Sequence, residues 1–452
     1  MHILKGYTKQ EISWMMYDWA NSAHSVIIVT LLPIFFDTVA GYTADSVSSM
    51  STWGYATSIA MLIVALAAPF LGVFGDIRGM RKKLFSFFML LGVAACAGMA
   101  FTPGMDFTSG QVAAGKVASL ILVLYIVSVI GFDASAIYYD AFLTDVTTED
   151  RMDKVSTMGY GLGYIGGSTI PLLIFLIMNL VGVPMLTCLA FVFGLTAVWW
   201  LAFSLPLLKN CEQTSGKPYE KGDVARSIKG VGTTIKEIIA NKPMLIYILS
   251  YFFYIDGVHT VISMATTYGT NLGLDSTGMM LALLLVQILG LPFCLLYIKC
   301  SEKFGARTMV GFGICVYMFI CIFAFFMNSL WQFWVLAVLC ATSQGGIQAL
   351  SRSMYGKLIP DKDRSGEFFG FFDIFGKFSS IMGPALVGVV SSVVANGMLG
   401  VQGLTAQTAT AEQIDAINAQ SSHYGILSII IIIIVGAVLY FGFLPKAEHA
   451  KQ

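Results

Sequence analysis

Along this chain, long apolar runs alternate with short polar breaks. Runs lie near 14–40, 53–75, 84–101, 117–142, 156–181 and 185–208, and six more near 243–270, 278–299, 308–327, 331–356, 367–395 and 424–444. A helix rises about 1.5 Å per residue, so each run can cross roughly 30 Å of hydrocarbon, and the longer ones can tilt or project beyond it. Lipid offers the backbone no partners, so such segments close their hydrogen bonds internally, as helices. The pattern predicts an all-α membrane protein with twelve transmembrane helices. The longest polar break divides it into a six-helix bundle over 1–208, a cytoplasmic linker over 209–242 and a second six-helix bundle over 243–452. Residues 224–240 of the linker predict an amphipathic surface helix.

Composition sharpens this. Hydrophobic residues make up 57% of the chain and charged ones 12%, with a mean hydropathy of +0.78. A soluble domain carries about 25% charged residues, so much of this chain's surface must face lipid. Net charge is zero, and neither a basic run nor a zinc spacing points to nucleic acid. The eight cysteines contain no CxxC pair and none falls in an outward loop, which predicts neither a disulfide nor a metal site.

With the amino terminus inside, all of the 26 Lys and Arg except Lys116 and Lys377 fall in inward segments or at inward helix ends. That is the positive-inside signature, and it checks the helix count, because one missed span would reverse it downstream. It places both termini in the cytoplasm. No cleavable signal or targeting extension is evident, which favours a bacterial inner (plasma) membrane.

The halves resemble each other weakly. Ala23-His24-Ser25-Val26-Ile27 parallels Val258-His259-Thr260-Val261-Ile262, and Asp150-Arg151 parallels Asp363-Arg364. Two repeats suit a transporter whose site lies at the membrane midplane between them.

Between helices 2 and 3 runs Gly72-Val73-Phe74-Gly75-Asp76-Ile77-Arg78-Gly79-Met80-Arg81-Lys82-Lys83. Glycines allow the tight turn, and Asp76 beside several cations can hold a charge-assisted latch at the inner face. This stretch resembles the signature loop of the major facilitator superfamily. Tyr17-Asp18-Trp19-Ala20-Asn21-Ser22-Ala23, Tyr254-Ile255-Asp256-Gly257-Val258, Gln348-Ala349-Leu350-Ser351-Arg352-Ser353, Glu367-Phe368-Phe369-Gly370 and Gly383-Pro384 narrow the likeness. Together they resemble the vacuole-effluxer-like branch, also called the unknown major facilitator family, over nearly the whole chain. That resemblance implies two pseudo-symmetric bundles, a monomer, and transport of a small solute; the branch includes a fungal vacuolar amino-acid exporter. His24, His259, Asp133 and Asp140 depart from the branch's usual residues and add titratable groups.

A charge at the bilayer centre costs roughly 2.5–3.5 kcal/mol on insertion scales, so intramembrane polar residues should pair or face an internal cavity. Asp256, His259 and Thr260 share one face of helix 7, and Gln344, Gln348 and Arg352 share one of helix 10. With Asn21 and His24 of helix 1 and Asp133 of helix 4, these are the candidate contacts for solute or proton. Arg352 could hold a carboxylate, Asp256 or Asp133 an ammonium group, and the histidines a proton. The alternative at each position is a structural pair. Asp18, Asp76, Arg78, Gly79, Arg81, Lys82, Asp140, Asp373 and Lys377 are read as gating residues, with Asp373 and Lys377 four apart on helix 11. Gly159, Gly163 and Gly167 of helix 5 predict close helix packing.

The segment Gly110 to Val117 mimics a phosphate loop. It lacks the hydroxyl that would help bind magnesium and follows no strand. Neither a catalytic set nor a cofactor is called for. The reading is a secondary transporter, not an enzyme, for a small polar solute such as an amino acid, exporting and proton-coupled, embedded among membrane lipids. The competing readings are a lipid or amphiphile transporter or scramblase, and a receptor on the same scaffold.

Overall fold

The structure, a computed structural model, describes residues 4–43, 49–218, 223–403, 408 and 410–445. Segments 219–222, expected in the linker, and 446–452, expected as an inward tail, lie outside the described residues. The helices are α1 (Lys9–Ala40), α2 (Ser49–Gly75), α3 (Arg81–Met99), α4 (Gln111–Val146), α5 (Met152–Gly163), α6 (Ile170–Leu180) and α7 (Met185–Asn210). They continue as α8 (Asp223–Ala240), α9 (Lys242–Asn271), α10 (Ser276–Phe304), α11 (Ala306–Phe325), α12 (Leu330–Leu358), α13 (Ser365–Val401) and α14 (Ala411–Ala437). Among the described residues, twelve helical segments are long and apolar enough to cross a membrane. The π-helical stretch Tyr164–Thr169 joins α5 to α6 as one span, and α8 is the amphipathic helix expected in the linker.

Several helices run past their apolar cores because polar caps hold the extra turns. In α1 the Thr8 hydroxyl accepts from the Glu11 N–H, and the Glu11 carboxylate accepts from the Thr8 N–H. That reciprocal pair satisfies two donors a helix start would otherwise leave open. The same carboxylate takes a two-point bond from Arg151, at 2.7 Å on each oxygen.

The chain divides into two compact units. The first comprises Met1–Thr234 and Gly356–Ile374, the second Ile235–Tyr355 and Phe375–Gln452. The amino-terminal part of α13 therefore packs with the first unit. In that unit the glycine-bearing face of the fifth span lies against α1. A Cβ added at Gly159 would meet the Asp18 carboxylate, one at Gly163 the Ser22 hydroxyl, and one at Gly167 the Trp19 carbonyl. In the second unit Gly257 of α9 and Gly436 of α14 bring those two helices together, each facing the other's atoms. Small residues allow membrane helices this approach where burial from water cannot drive it.

Candidate functional site

The first unit holds a buried polar network around Arg81, the first residue of α3. Arg81 is 0% exposed. One guanidinium nitrogen donates to Asp76 Oδ1 at 2.9 Å and to the Ser365 hydroxyl at 2.8 Å. The other donates to Asp145 Oδ2 at 2.5 Å, the Ala141 carbonyl at 3.2 Å and the Ser215 hydroxyl at 3.3 Å. Asp76 also caps the start of α13. Its Oδ1 accepts the Gly366 N–H at 2.7 Å and its Oδ2 the Glu367 N–H at 2.8 Å. A carboxylate at a helix start meets open N–H groups and the positive end of the helix dipole. The helices come this close because Gly72 and Gly366 carry no side chain; a Cβ on either would strike the other's backbone.

The linker fastens the same loop. Lys217 donates its N–H to the Asp76 carbonyl and accepts the Arg78 N–H, each at 2.9 Å. Gln213 accepts the Gly79 N–H at 2.9 Å and donates to the Gly75 carbonyl at 2.9 Å. Asp145 Oδ1 accepts from the N–H and hydroxyl of both Thr214 and Ser215. Gly79 takes a φ of +82°, a left-handed turn that favours glycine. Burial pushes the Asp76 carboxyl up to about 7, outweighing the downward pull of Arg81 and of the N–H donors of Glu367 and Gly366.

Of the signature-loop residues, Asp76 and Arg81 thus enter the buried network and Lys82 reaches the Cys211 carbonyl at 3.2 Å. Arg78 and Gly79 are exposed, and their backbone N–H groups do the work. Asp145, Ser365, Gln213 and Ser215 join the network without any motif that singles them out. Asp145 is one of three acids on the mostly apolar α4, and its side chain is fully buried against Arg81.

On α1, Asp18 and Asn21 are each 8% exposed, with Asp18 turned toward Gly159. His24, 1% exposed, stacks on Phe132 with centroids 4.7 Å apart, leans on Trp200, and bonds the Ser128 hydroxyl through Nε2 at 3.2 Å. Its Nδ1 has no partner among the described residues. This places His24 inside the first unit, among aromatic rings. Asp133 of α4 is buried and Asp140 half-buried.

In the second unit Asp256 is 0% exposed. Its Oδ1 accepts the Gly383 N–H at 2.9 Å and the Thr260 hydroxyl at 3.4 Å. Its Oδ2 has no partner among the described residues. Gly383 permits this: a Cβ there would collide with Thr260 and crowd Asp256. Arg352 of α12 is 3% exposed. Next to it, Ser351 shares a 2.6 Å hydroxyl bond with Tyr254 and accepts from Tyr247 at its carbonyl. His259 is half-buried. Gln348 donates to the Gln344 carbonyl at 3.2 Å. Asp256, His259, Gln348 and Lys377 therefore belong to one unit, whereas Asp373 belongs to the other, the division falling after Ile374. Among the described residues no cluster of His, Cys, Asp or Glu could hold a metal ion.

The family model described as vacuole effluxer Atg22 like matches residues 41–401. The chain belongs to the vacuole effluxer Atg22-like family. A relative of this Atg22-like chain is an uncharacterized MFS-type transporter, YxiO, of Bacillus subtilis, 40% identical over 98% of this chain and 96% of the relative. Autophagy-related protein 22-1 of Penicillium rubens is 25% identical, covering 53% of this chain and 44% of the fungal one. Among solved structures, the proton:xylose symporter XylE bound to 6-bromo-6-deoxy-D-glucose superposes with a TM-score of 0.71 at 14% identity, covering 98% of both chains. This Atg22-like protein is a multi-pass transporter with the major facilitator fold, and its relatives are transporters rather than enzymes.

Proposed function

We propose that the protein is a secondary active transporter of a small polar solute, an amino acid or related metabolite, working by alternating access. The observation that carries this reading is Asp256. A fully buried carboxyl in a membrane span has one oxygen bound to a backbone N–H and the other without a partner among the described residues. Buried polar groups are nearly always satisfied, and the exceptions mark function. A solute ammonium group or a proton would complete this one. Arg352, 3% exposed on α12 of the same unit, has the charge and fork geometry to hold a carboxylate. The network of Asp76, Arg81 and Asp145 acts as the latch of one transport state. Ligand or proton drives the cycle by binding the two states unequally. Export, proton coupling, a monomeric carrier, cytoplasmic termini and a bacterial plasma membrane complete the proposal.

Counterflow in proteoliposomes tests it, with labelled amino acids and small metabolites and with Asp256→Asn and Arg352→Ala. Saturable exchange of one compound, lost in either variant, is the expected result. No exchange of any polar compound by the folded protein would move the reading to an apolar substrate or to a receptor.

A further inference from the structure

The helix α8 plays no part in the transport proposed above, yet it is tied to the start of a membrane span. It ends at Ala240, and α9, long and apolar enough to cross a membrane, begins at Lys242. The apolar run of α9 opens at once with Pro243-Met244-Leu245-Ile246, whereas Thr266, Thr267, Thr270 and Asn271 gather at its far end. Helix length in excess of the hydrocarbon therefore belongs to the far end, and the near end, with α8 attached, sits at the membrane surface.

Thr234 fixes how α8 is turned. It is buried, and its hydroxyl accepts from Arg364 and donates to the Glu367 carboxylate at the start of α13. Ile238, one turn on, is buried as well. At 3.6 residues per turn, the order round the helix runs from Thr234 and Ile238 to Ile235 and Ile239, then to Lys236, then to Thr233 and Glu237. Ile235 and Ile239 are 43% and 56% exposed. Lys236 and Thr233 are exposed too. The apolar arc of α8 is thus wider than the face the protein covers, and a lysine borders its open part. A helix lying at the level of lipid headgroups has this order of faces. Its apolar side enters the acyl boundary, and a lysine at the edge lays its stem along that boundary with its charge among the headgroups.

We propose that α8 docks on the lipid surface beside it, with Ile235 and Ile239 in the acyl boundary and the Lys236 ammonium at an anionic headgroup. The test places p-benzoylphenylalanine at Ile235, at Ile239 or, as the water-facing control, at Thr233. Each full chain is irradiated in nanodiscs of phosphatidylcholine with a minor share of phosphatidylglycerol, and its mass is measured. Lipid adducts are expected at Ile235 and Ile239 and not at Thr233. Phosphatidylglycerol should exceed its share of the bilayer among those adducts by roughly fivefold, the effect of one lysine at an anionic surface. Lys236→Gln should remove the excess. Should the substituted chains not fold, phosphatidylglycerol carrying a diazirine on its acyl chain should label the 231–240 peptide of the unsubstituted protein. The proposal is overturned if Thr233 takes lipid as readily as the two isoleucines, or if these cross-link to protein, their own chain or a second copy, instead of lipid. It is equally overturned if phosphatidylglycerol shows no excess, or if the diazirine lipid labels only the spans. None of these readouts depends on transport, so counterflow can fail while the docking stands, and the reverse.

Discussion

Two buried carboxyls, Asp76 and Asp256, show how differently one chain can use the same group. Asp76 has both oxygens occupied, by Arg81, Gly366 and Glu367. Asp256 has one oxygen held by Gly383 and Thr260 and the other open among the described residues. A carboxyl with both oxygens occupied holds one arrangement of backbone, while one with an open oxygen can still take a partner. On the proposed function the first carboxyl acts as a fastening and the second as a binding group, although both sit at glycine-lined contacts with α13.

The largest effect should come from Arg81→Met. The substitution keeps bulk but leaves Asp76 and Asp145 buried without their shared cation. Removing one partner of a buried ion pair costs about 3–5 kcal/mol. Thermal unfolding of the purified protein should show a large drop or no folded protein at all. Asp76→Asn should cost less, about 1–3 kcal/mol. Both oxygens of Asp76 receive N–H donors, so whichever way the Asn amide turns, its NH₂ faces another donor. An unchanged melting temperature in Asp76→Asn would remove the distinction between the two carboxyls.

The Arg81 network is half legible in the sequence. Glycines, Asp76 and Arg81 stand within one short loop, so their chemistry is local. Asp145 is not legible as a partner, because it opens an acid-rich stretch with Glu149, Asp150 and Asp153 and no spacing singles it out. Its bond to Arg81 spans 64 positions and exists only after α3 and α4 pack. His24 shows the converse. Helical spacing puts it near Asn21 on a polar face, whereas Phe132 of α4 and Trp200 of α7 enclose it. The twelve spans are legible because apolar length and the side on which charge falls are both properties of single segments. Their ends are less so, because a cap such as Thr8 with Glu11 extends a helix into polar sequence.

Acidity gives a smaller and reversible test. The Asp76 carboxyl lies near 7 in the folded chain, above its ordinary 3.8. The folded state therefore binds the proton more tightly than the unfolded state, and the stability contributed rises as pH falls through 7 toward 4. Between pH 8 and pH 6 the gain is about 1.4 kcal/mol, the energy of a tenfold change in the folding equilibrium. Unfolding midpoints measured across that range should rise in wild type and stay flatter in Asp76→Asn. A wild-type slope equal to that of the variant would mean that Asp76 keeps its proton in neither state.

The smallest change in stability should follow Asp256→Asn, and it separates the two carboxyls most directly. The Asn oxygen can still accept the Gly383 N–H, and its NH₂ can take the place of an oxygen that has no partner among the described residues. No satisfied bond is lost, so unfolding should move by less than about 1 kcal/mol, below the 1–3 kcal/mol set by an orphaned donor at Asp76. Transport should respond in the opposite order, because the substitution removes the group that can carry a charge or a proton. Measured together, an unmoved melting curve and abolished counterflow would establish Asp256 as a binding group. A melting curve that falls as far as that of Asp76→Asn would instead mean that its second oxygen is already engaged in holding α9 to α13, and that the solute is bound elsewhere.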